Sequence, residues 1–171
     1  MPIFKQIDEL LSGRKTETRR LVKPGEILET FVENGVEVSR VMTAKGREKY
    51  RTGKPYPIIP RMFQPALKSH KVVFHAIRQE LLHAIDETGA TNEGVANVDA
   101  YRDLWGAING PRSWDKNPPV FVYRFVVLSI EELNPVLAAF RVGFEQAMRG
   151  ETMPIATLWD DFDEQPAPCG E

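Results

Sequence analysis

The stretch "LLSGRKTETRRLVKPGE", residues 10–26, joins the end of an apolar helical pattern to a run of basic residues. Five apolar residues at helical spacing predict an N-terminal helix: Ile3, Phe4, Ile7, Leu10 and Leu11. Gly13 is predicted to end this helix, because glycine readily adopts the left-handed backbone conformation. An extended segment should follow through Leu21, closed by a turn at Pro24-Gly25.

The extended segment raises a question of geometry. Side chains alternate along a strand, which predicts two opposite faces: Lys15, Glu17 and Arg19 on one, and Thr16, Thr18 and Arg20 on the other. A turn at Lys15 would change this and could bring Lys15 close to Thr18. In a half-buried cleft, a neutral lysine can take a proton from a threonine hydroxyl and make it a nucleophile. Spacing alone favours the simpler alternative, a basic strand whose charges are solvated.

After residue 26 the sequence contains mainly short segments with the residue pattern of β-strands, separated by residues that favour turns. The segment "ILETFVENGVEVSRVM" predicts a hairpin around Asn34-Gly35, and the prolines of "KPYPIIP" exclude a helix and a central strand. Two further strands are predicted: "KVVFHAI" (71–77), apolar on both faces and therefore buried, and "VFVYRFVVL" (120–128).

Two further helices are predicted. One covers "DAYRDLWGAI" and ends at Asn109-Gly110, and another begins at Asn134-Pro135 and covers about 135–149, before an acidic tail. Uneven strands interrupted by three helices predict an α+β fold with a small, mostly antiparallel sheet or barrel.

Composition is that of an ordinary globular protein. The 171 residues are 42% hydrophobic and 27% charged, enough for one domain with a sizeable core. The single cysteine, Cys169, excludes a disulfide framework, and His70, His75 and His83 lack metal-ligand spacing. His75 is predicted to be a core residue of its strand. We expect no metal, no cofactor and no membrane association, and a cytoplasmic location.

The charge is unevenly distributed along the chain. Residues 1–80 carry 16 Lys and Arg against 9 Asp and Glu, whereas residues 81–171 carry 6 against 15. A basic half suggests an anionic partner such as nucleic acid. The alternative is that the two halves neutralise each other in the fold. Trp114, beside Arg112, could stack a base or could plug one end of a barrel.

Several stretches together resemble the ASCH domain, a member of the PUA-like superfamily of small β-barrels. "ELLSGRKTETRRLVKPGE" is similar to its G-x-K-T-x-T-x-R signature. "KYRTGKPYPIIPR", "VVFHAIRQELLHAI" and "YRDLWGAINGPRSWDKNPPVFVYRFVVL" resemble later segments of phage- and prophage-encoded members. The resemblance covers residues 3–128, and it implies a bacterial host if the chain is phage-encoded. Two features depart from it: "RMFQPALKSH" after the proline turn, and the extension 129–171.

The resemblance implies a cleft that binds RNA, another nucleic acid or a modified nucleoside. Some small ASCH proteins are amidohydrolases of N4-acylated cytidine that use a lysine, a threonine and a glutamate, which correspond here to Lys15, Thr18 and Glu93. Others are linked to RNA cleavage. The remaining expected ligand-binding residues are Gly13, Arg14, Thr16, Arg19, Arg20, Lys23, Arg61, Arg112 and Trp114.

A third expectation comes from the extension. Its amphipathic helix could pack on the barrel or form a homodimer contact. Alternatively, the chain could be a phage regulatory protein that acts through a protein partner. Without the resemblance, Glu93 is only a polar residue in a loop.

Overall fold

The structure, a computed structural model, describes Phe4 and residues 6–60 and 65–133. The predicted helix at 135–149, the acidic tail and Arg61 lie outside these residues. The fold is α+β with antiparallel sheets, one of them curled into a half-barrel, which agrees with the predicted class at this level of detail. Residues Met1–Ile130 form one compact unit, and the site described below belongs to it.

Seven strands are described: β1 (Glu17–Leu21), β2 (Ile27–Glu33), β3 (Val36–Met42), β4 (Glu48–Arg51), β5 (Pro55–Pro57), β6 (His70–Leu81) and β7 (Pro119–Ser129). They form a four-stranded sheet in the order β1-β7-β6-β5 and a three-stranded sheet in the order β2-β3-β4. All strand pairs are antiparallel. The proline-rich β5 lies at the edge of its sheet, as predicted, because proline cannot donate to a second neighbour.

The predicted hairpin is confirmed between β2 and β3. Asn34 and Gly35 have φ angles of 51° and 78°, and this pair of positive values is the requirement of the tight turn that matches strand twist. The neighbouring Val32 and Val36 are exposed.

The prediction that "KVVFHAI" is buried on both faces is wrong. Val72, Phe74 and Ile77 are buried, but His75 and Ala76 are exposed. The pairing of β6 with β7 shifts between Phe74 and Ala76, and a bulge of this kind leaves one extra residue unpaired and turns the strand. The expectation that His75 belongs to the core is therefore also wrong.

Four α-helices lie in the described part of the chain: α1 (Ile7–Leu11), α2 (Glu87–Asn92), α3 (Val98–Asn109) and α4 (Ile130–Leu133). The predicted stop of α1 at Gly13 is confirmed by its φ of 75°. Helix α3 begins where Asn97 accepts a hydrogen bond from the Ala100 amide, a standard N-cap. Within these ranges no helix combines the length and the apolarity that crossing a membrane requires.

Two hydrophobic clusters lie on opposite sides of the four-stranded sheet, because side chains alternate along β7. Phe121, Tyr123 and Phe125 belong to one cluster with residues of both sheets. Val120 and Val122 belong to the other, which includes residues of α2 and α3. Arg19 pairs with Val122 in the sheet and Thr18 pairs with Tyr123, so their side chains lie on different sides.

Candidate active site

Lys15 and Glu93 form a buried ion pair. The Nζ atom of Lys15 donates to Oε2 of Glu93 and to the backbone oxygen of Glu93, both at 2.6 Å. Only 6% of Lys15 and 3% of Glu93 is exposed to solvent. The structure thus brings together two of the three residues that the ASCH resemblance implies for catalysis.

Backbone contacts of the signature segment with α1 and with the end of α2 hold this pair in place. The amide of Lys15 donates to the oxygen of Glu9 at 2.9 Å, and the amide of Thr16 donates to the oxygen of Asn92 at 2.8 Å. Gly94 follows with a φ of 83°, and a Cβ atom at this position would lie 3.3 Å from Cβ of Lys15. The tight approach and the positive φ both require glycine here.

The second oxygen of the Glu93 carboxylate contacts β1. Its Oε1 accepts a 2.5 Å hydrogen bond from the backbone amide of Arg19 and lies 3.6 Å from Nη1 of the same residue. Because β1 is an edge strand of the sheet, this amide is available to a side chain. Burial raises the pKa of Glu93, and the nearby charges of Lys15 and Arg19 only partly oppose that effect.

Arg19 is enclosed by carboxylates. Its Nε atom lies 2.9 Å from Oε1 of Glu80, and its Nη1 atom lies 2.8 Å from Oε1 of Glu17. Only 2% of the Arg19 side chain is exposed, and its Cζ atom lies 6.0 Å from the ring centre of Tyr101. The guanidinium is therefore engaged inside the protein, which does not favour the expected role of Arg19 in ligand binding.

Glu17 links Arg19 to two more arginines. Nε of Arg124 lies 2.8 Å from Oε2 of Glu17, and Nη1 of Arg78 lies 3.3 Å from it. Burial opposes ionisation of Glu17, but the hydrogen bond from Arg124 and the charges of Arg19 and Arg78 outweigh it, so its pKa is lowered. Sequence reasoning missed Glu80, Arg78 and Arg124, because their contacts with β1 join residues distant in the chain.

Thr18 directly precedes Arg19 in β1, but its side chain lies on the other side of the sheet from that of Arg19 and makes no hydrogen bond to the Lys15–Glu93 pair. Within the described ranges its hydroxyl has no hydrogen-bond partner, although the residue is buried. The amide bound by Glu93 directly follows Thr18, and covalent geometry puts that nitrogen about 2.4 Å from the Thr18 Cα. The predicted alternation within β1 is confirmed, since Glu17 and Arg19 are opposite Thr18 and Arg20.

The other expected ligand-binding residues are dispersed. Arg14 is exposed and paired with Glu9 at 2.5 Å, and the Thr16 hydroxyl lies 3.4 Å from Oδ1 of Asn92. The Cζ atom of Arg20 lies 5.7 Å from the ring centre of Phe4. Lys23 and Arg112 are exposed.

Trp114 packs against the second hydrophobic cluster, and its ring centre lies 5.0 Å from that of His83. It also lines an open groove of about 380 Å³ with α3 and Pro111. The residues that line this groove do not include Lys15 or Glu93. The structure therefore gives Trp114 both a packing role and partial exposure, without joining it to the buried pair.

Histidine, cysteine and carboxylate side chains of the described residues form no group of three or more that could hold a metal ion. Comparison of the chain with protein-family models, with curated proteins and with solved structures finds no match. The resemblance to the ASCH domain therefore depends on the quoted motifs and stays a prediction.

Proposed function

We propose that this chain is a metal-independent amidohydrolase with a PUA-like barrel, which binds a modified nucleoside beside Lys15 and Glu93 and hydrolyses its exocyclic amide. The buried Lys15–Glu93 pair, with Nζ and Oε2 2.6 Å apart, is the observation that supports the proposal most directly. An ion pair removed from water gains little for stability over apolar packing, so its presence favours a chemical role. The substrate class, N4-acylcytidine-type nucleosides, follows from the sequence resemblance.

The pair can supply both a base and an acid. Transfer of one proton from Nζ of Lys15 to Oε2 of Glu93 gives a neutral amine beside a carboxylic acid. Burial raises the pKa of Glu93, which makes protonation of its carboxylate easier than it would be in water. General acid–base groups of this kind contribute about 10² to 10⁴ in rate.

In the proposed reaction Thr18 is the nucleophile. Its Oγ1 forms a bond with the amide carbonyl carbon, and its proton passes to the amine of Lys15. The carbon–nitrogen bond then breaks, and the leaving exocyclic nitrogen takes a proton from the pair. Water hydrolyses the resulting threonine ester to a carboxylic acid and restores the hydroxyl. The step requires Thr18 Oγ1 to rotate towards the edge of β1 that Glu93 contacts.

Chromatography of N4-acetylcytidine incubated with the protein tests the proposal. We expect release of cytidine and acetate by the wild type and none by Lys15→Ala. Lys45→Ala is the matched control, because Lys45 is exposed and distant in sequence from the pair. Equal turnover by wild type and Lys15→Ala, or no turnover by the wild type, would contradict it.

Binding of an RNA strand is the second candidate. Exposed Lys23 and Arg112 and partly exposed Trp114 favour it, because cations and an aromatic ring can bind phosphates and a base. Displacement of bound cations would weaken the affinity steeply with salt. Fluorescence anisotropy with RNA oligonucleotides at several salt concentrations measures this, and affinity that does not change with salt would exclude it.

A further inference from the structure

Charged side chains on one face of the four-stranded sheet form a series of ion pairs that leads to the Lys15–Glu93 pair. Arg19 of β1 contacts Glu17 of the same strand and Glu80 of β6. Arg19 also contacts Glu93 twice, through its backbone amide at 2.5 Å and through the same Nη1 atom at 3.6 Å. A single residue therefore connects the carboxylates of the sheet to the carboxylate that binds Lys15.

The geometry of Arg19 leaves it no freedom to reach a ligand. Its side chain is 2% exposed, and among the described residues Nη1 has no partner with hydrogen-bond geometry, although Glu17 lies 2.8 Å away. Gly89 of α2 closes the remaining side, because a Cβ atom there would lie 2.8 Å from Nη2. An arginine so enclosed can act on a reaction only through the groups that it touches.

We propose that Arg19 is a positioning residue: held by Glu17 and Glu80, it fixes the Glu93 carboxylate against Lys15 and does not contact the substrate. Two hydrogen-bond donors, the Arg19 amide and Lys15 Nζ, then bind different oxygens of Glu93 and set its orientation. The kinetic consequence rests on the proposed function, but the orientation and ionisation of Glu93 can be measured without it.

Glu80 is the best position for a test. Substitution of Arg19 itself would remove the buried cation that Glu17, Glu80 and Glu93 share, a change that can prevent folding. Glu80→Gln keeps an oxygen that accepts from Nε of Arg19, removes one negative charge and alters a residue that is itself only partly exposed. The groups that face Glu93 stay unchanged: Lys15, Arg19 and Tyr101.

The experiment follows the ¹³C carboxyl resonance of Glu93 against pH, with Glu93→Gln to assign it. Loss of the Glu80 charge leaves Arg19 more fully available to Glu93, so the titration should move to lower pH by about half a unit or more, a threefold change in the equilibrium. Glu29→Gln is the control, because it removes the charge from a similar but more exposed pair between Glu29 of β2 and Arg40 of β3. An unchanged Glu93 titration in Glu80→Gln would overturn the proposal.

Kinetics with N4-acetylcytidine separate positioning from ligand binding. We expect the pH profile of kcat to move with the Glu93 titration in Glu80→Gln, while KM changes by less than about twofold. A rise in KM by about tenfold or more at constant kcat would identify Arg19 as a ligand contact and overturn the positioning role. If the wild type shows no turnover, the proposed function fails, and the Glu93 titration alone decides the role of Arg19.

Discussion

Lys15 and Glu93 are the residues on which the account depends. The sequence places them 78 positions apart, and without the family resemblance nothing in their surroundings predicts that they meet. Within the signature, alternation along β1 does predict correctly that Glu17 and Arg19 share one face. The partners of that face could not be predicted, because they come from β6, from β7 and from the end of α2 through tertiary contacts.

Removal of one member of the pair should destabilise the fold in a pH-dependent way. Lys15→Met leaves the Glu93 carboxylate buried without its cation, at a cost of about 3 to 5 kcal/mol in the free energy of unfolding near neutral pH. Burial already raises the pKa of Glu93, and loss of Lys15 raises it further. The destabilisation should therefore shrink as the pH falls and Glu93 becomes neutral.

Urea unfolding of wild type and Lys15→Met, repeated from neutral to acidic pH, measures this change in the free energy of unfolding. The double variant Lys15→Met/Glu93→Leu should recover much of the lost stability, because it removes both charges together. A loss for Lys15→Met that is the same at every pH would contradict the interpretation of Glu93 as the unpaired charge.

The elements differ in how well local sequence predicts them. Helix α3 and the β2–β3 hairpin have clear signals in apolar spacing and in Asn34-Gly35, and both are confirmed. Helix α2 was not predicted, because its six residues include Gly89 and two threonines and lack an amphipathic stripe. That short helix nevertheless presents Glu93 at its C-terminal end.

The junction between α2 and β1 should be sensitive to a single methyl group. Gly94→Ala would place Cβ 3.2 Å from Cβ of Glu9 and 3.3 Å from Cβ of Lys15, in addition to the cost of its positive φ. Gly46→Ala is the control, since it has a similar φ of 68° and open space around it. The control should lose about 1 to 2 kcal/mol, the usual cost of the left-handed conformation.

Thermal or urea unfolding compares the two glycine variants. Gly94→Ala should lose more stability than Gly46→Ala, and its Lys15 resonances should shift because the junction must adjust. Equal losses in the two variants, with Lys15 unperturbed, would show that the close approach at Gly94 has no energetic consequence.

In the whole molecule, some charges of the basic half of the sequence form buried ion pairs with charges of the acidic half. Glu93, from the acidic half, pairs with Lys15 and Arg19 of the basic half. This contact agrees with neutralisation between the halves, the alternative to an anionic partner. Composition alone could not distinguish the two, because it does not specify which charges become buried.

The central claim is that the Lys15–Glu93 pair performs acid–base chemistry on an amide. Turnover of N4-acetylcytidine by Glu93→Gln tests it most directly, because glutamine still accepts the hydrogen bond from the Arg19 amide but cannot exchange a proton with Lys15. The account predicts that kcat falls by about 10² to 10⁴ while the fold is retained. A folded Glu93→Gln variant whose kcat equals that of the wild type would contradict it.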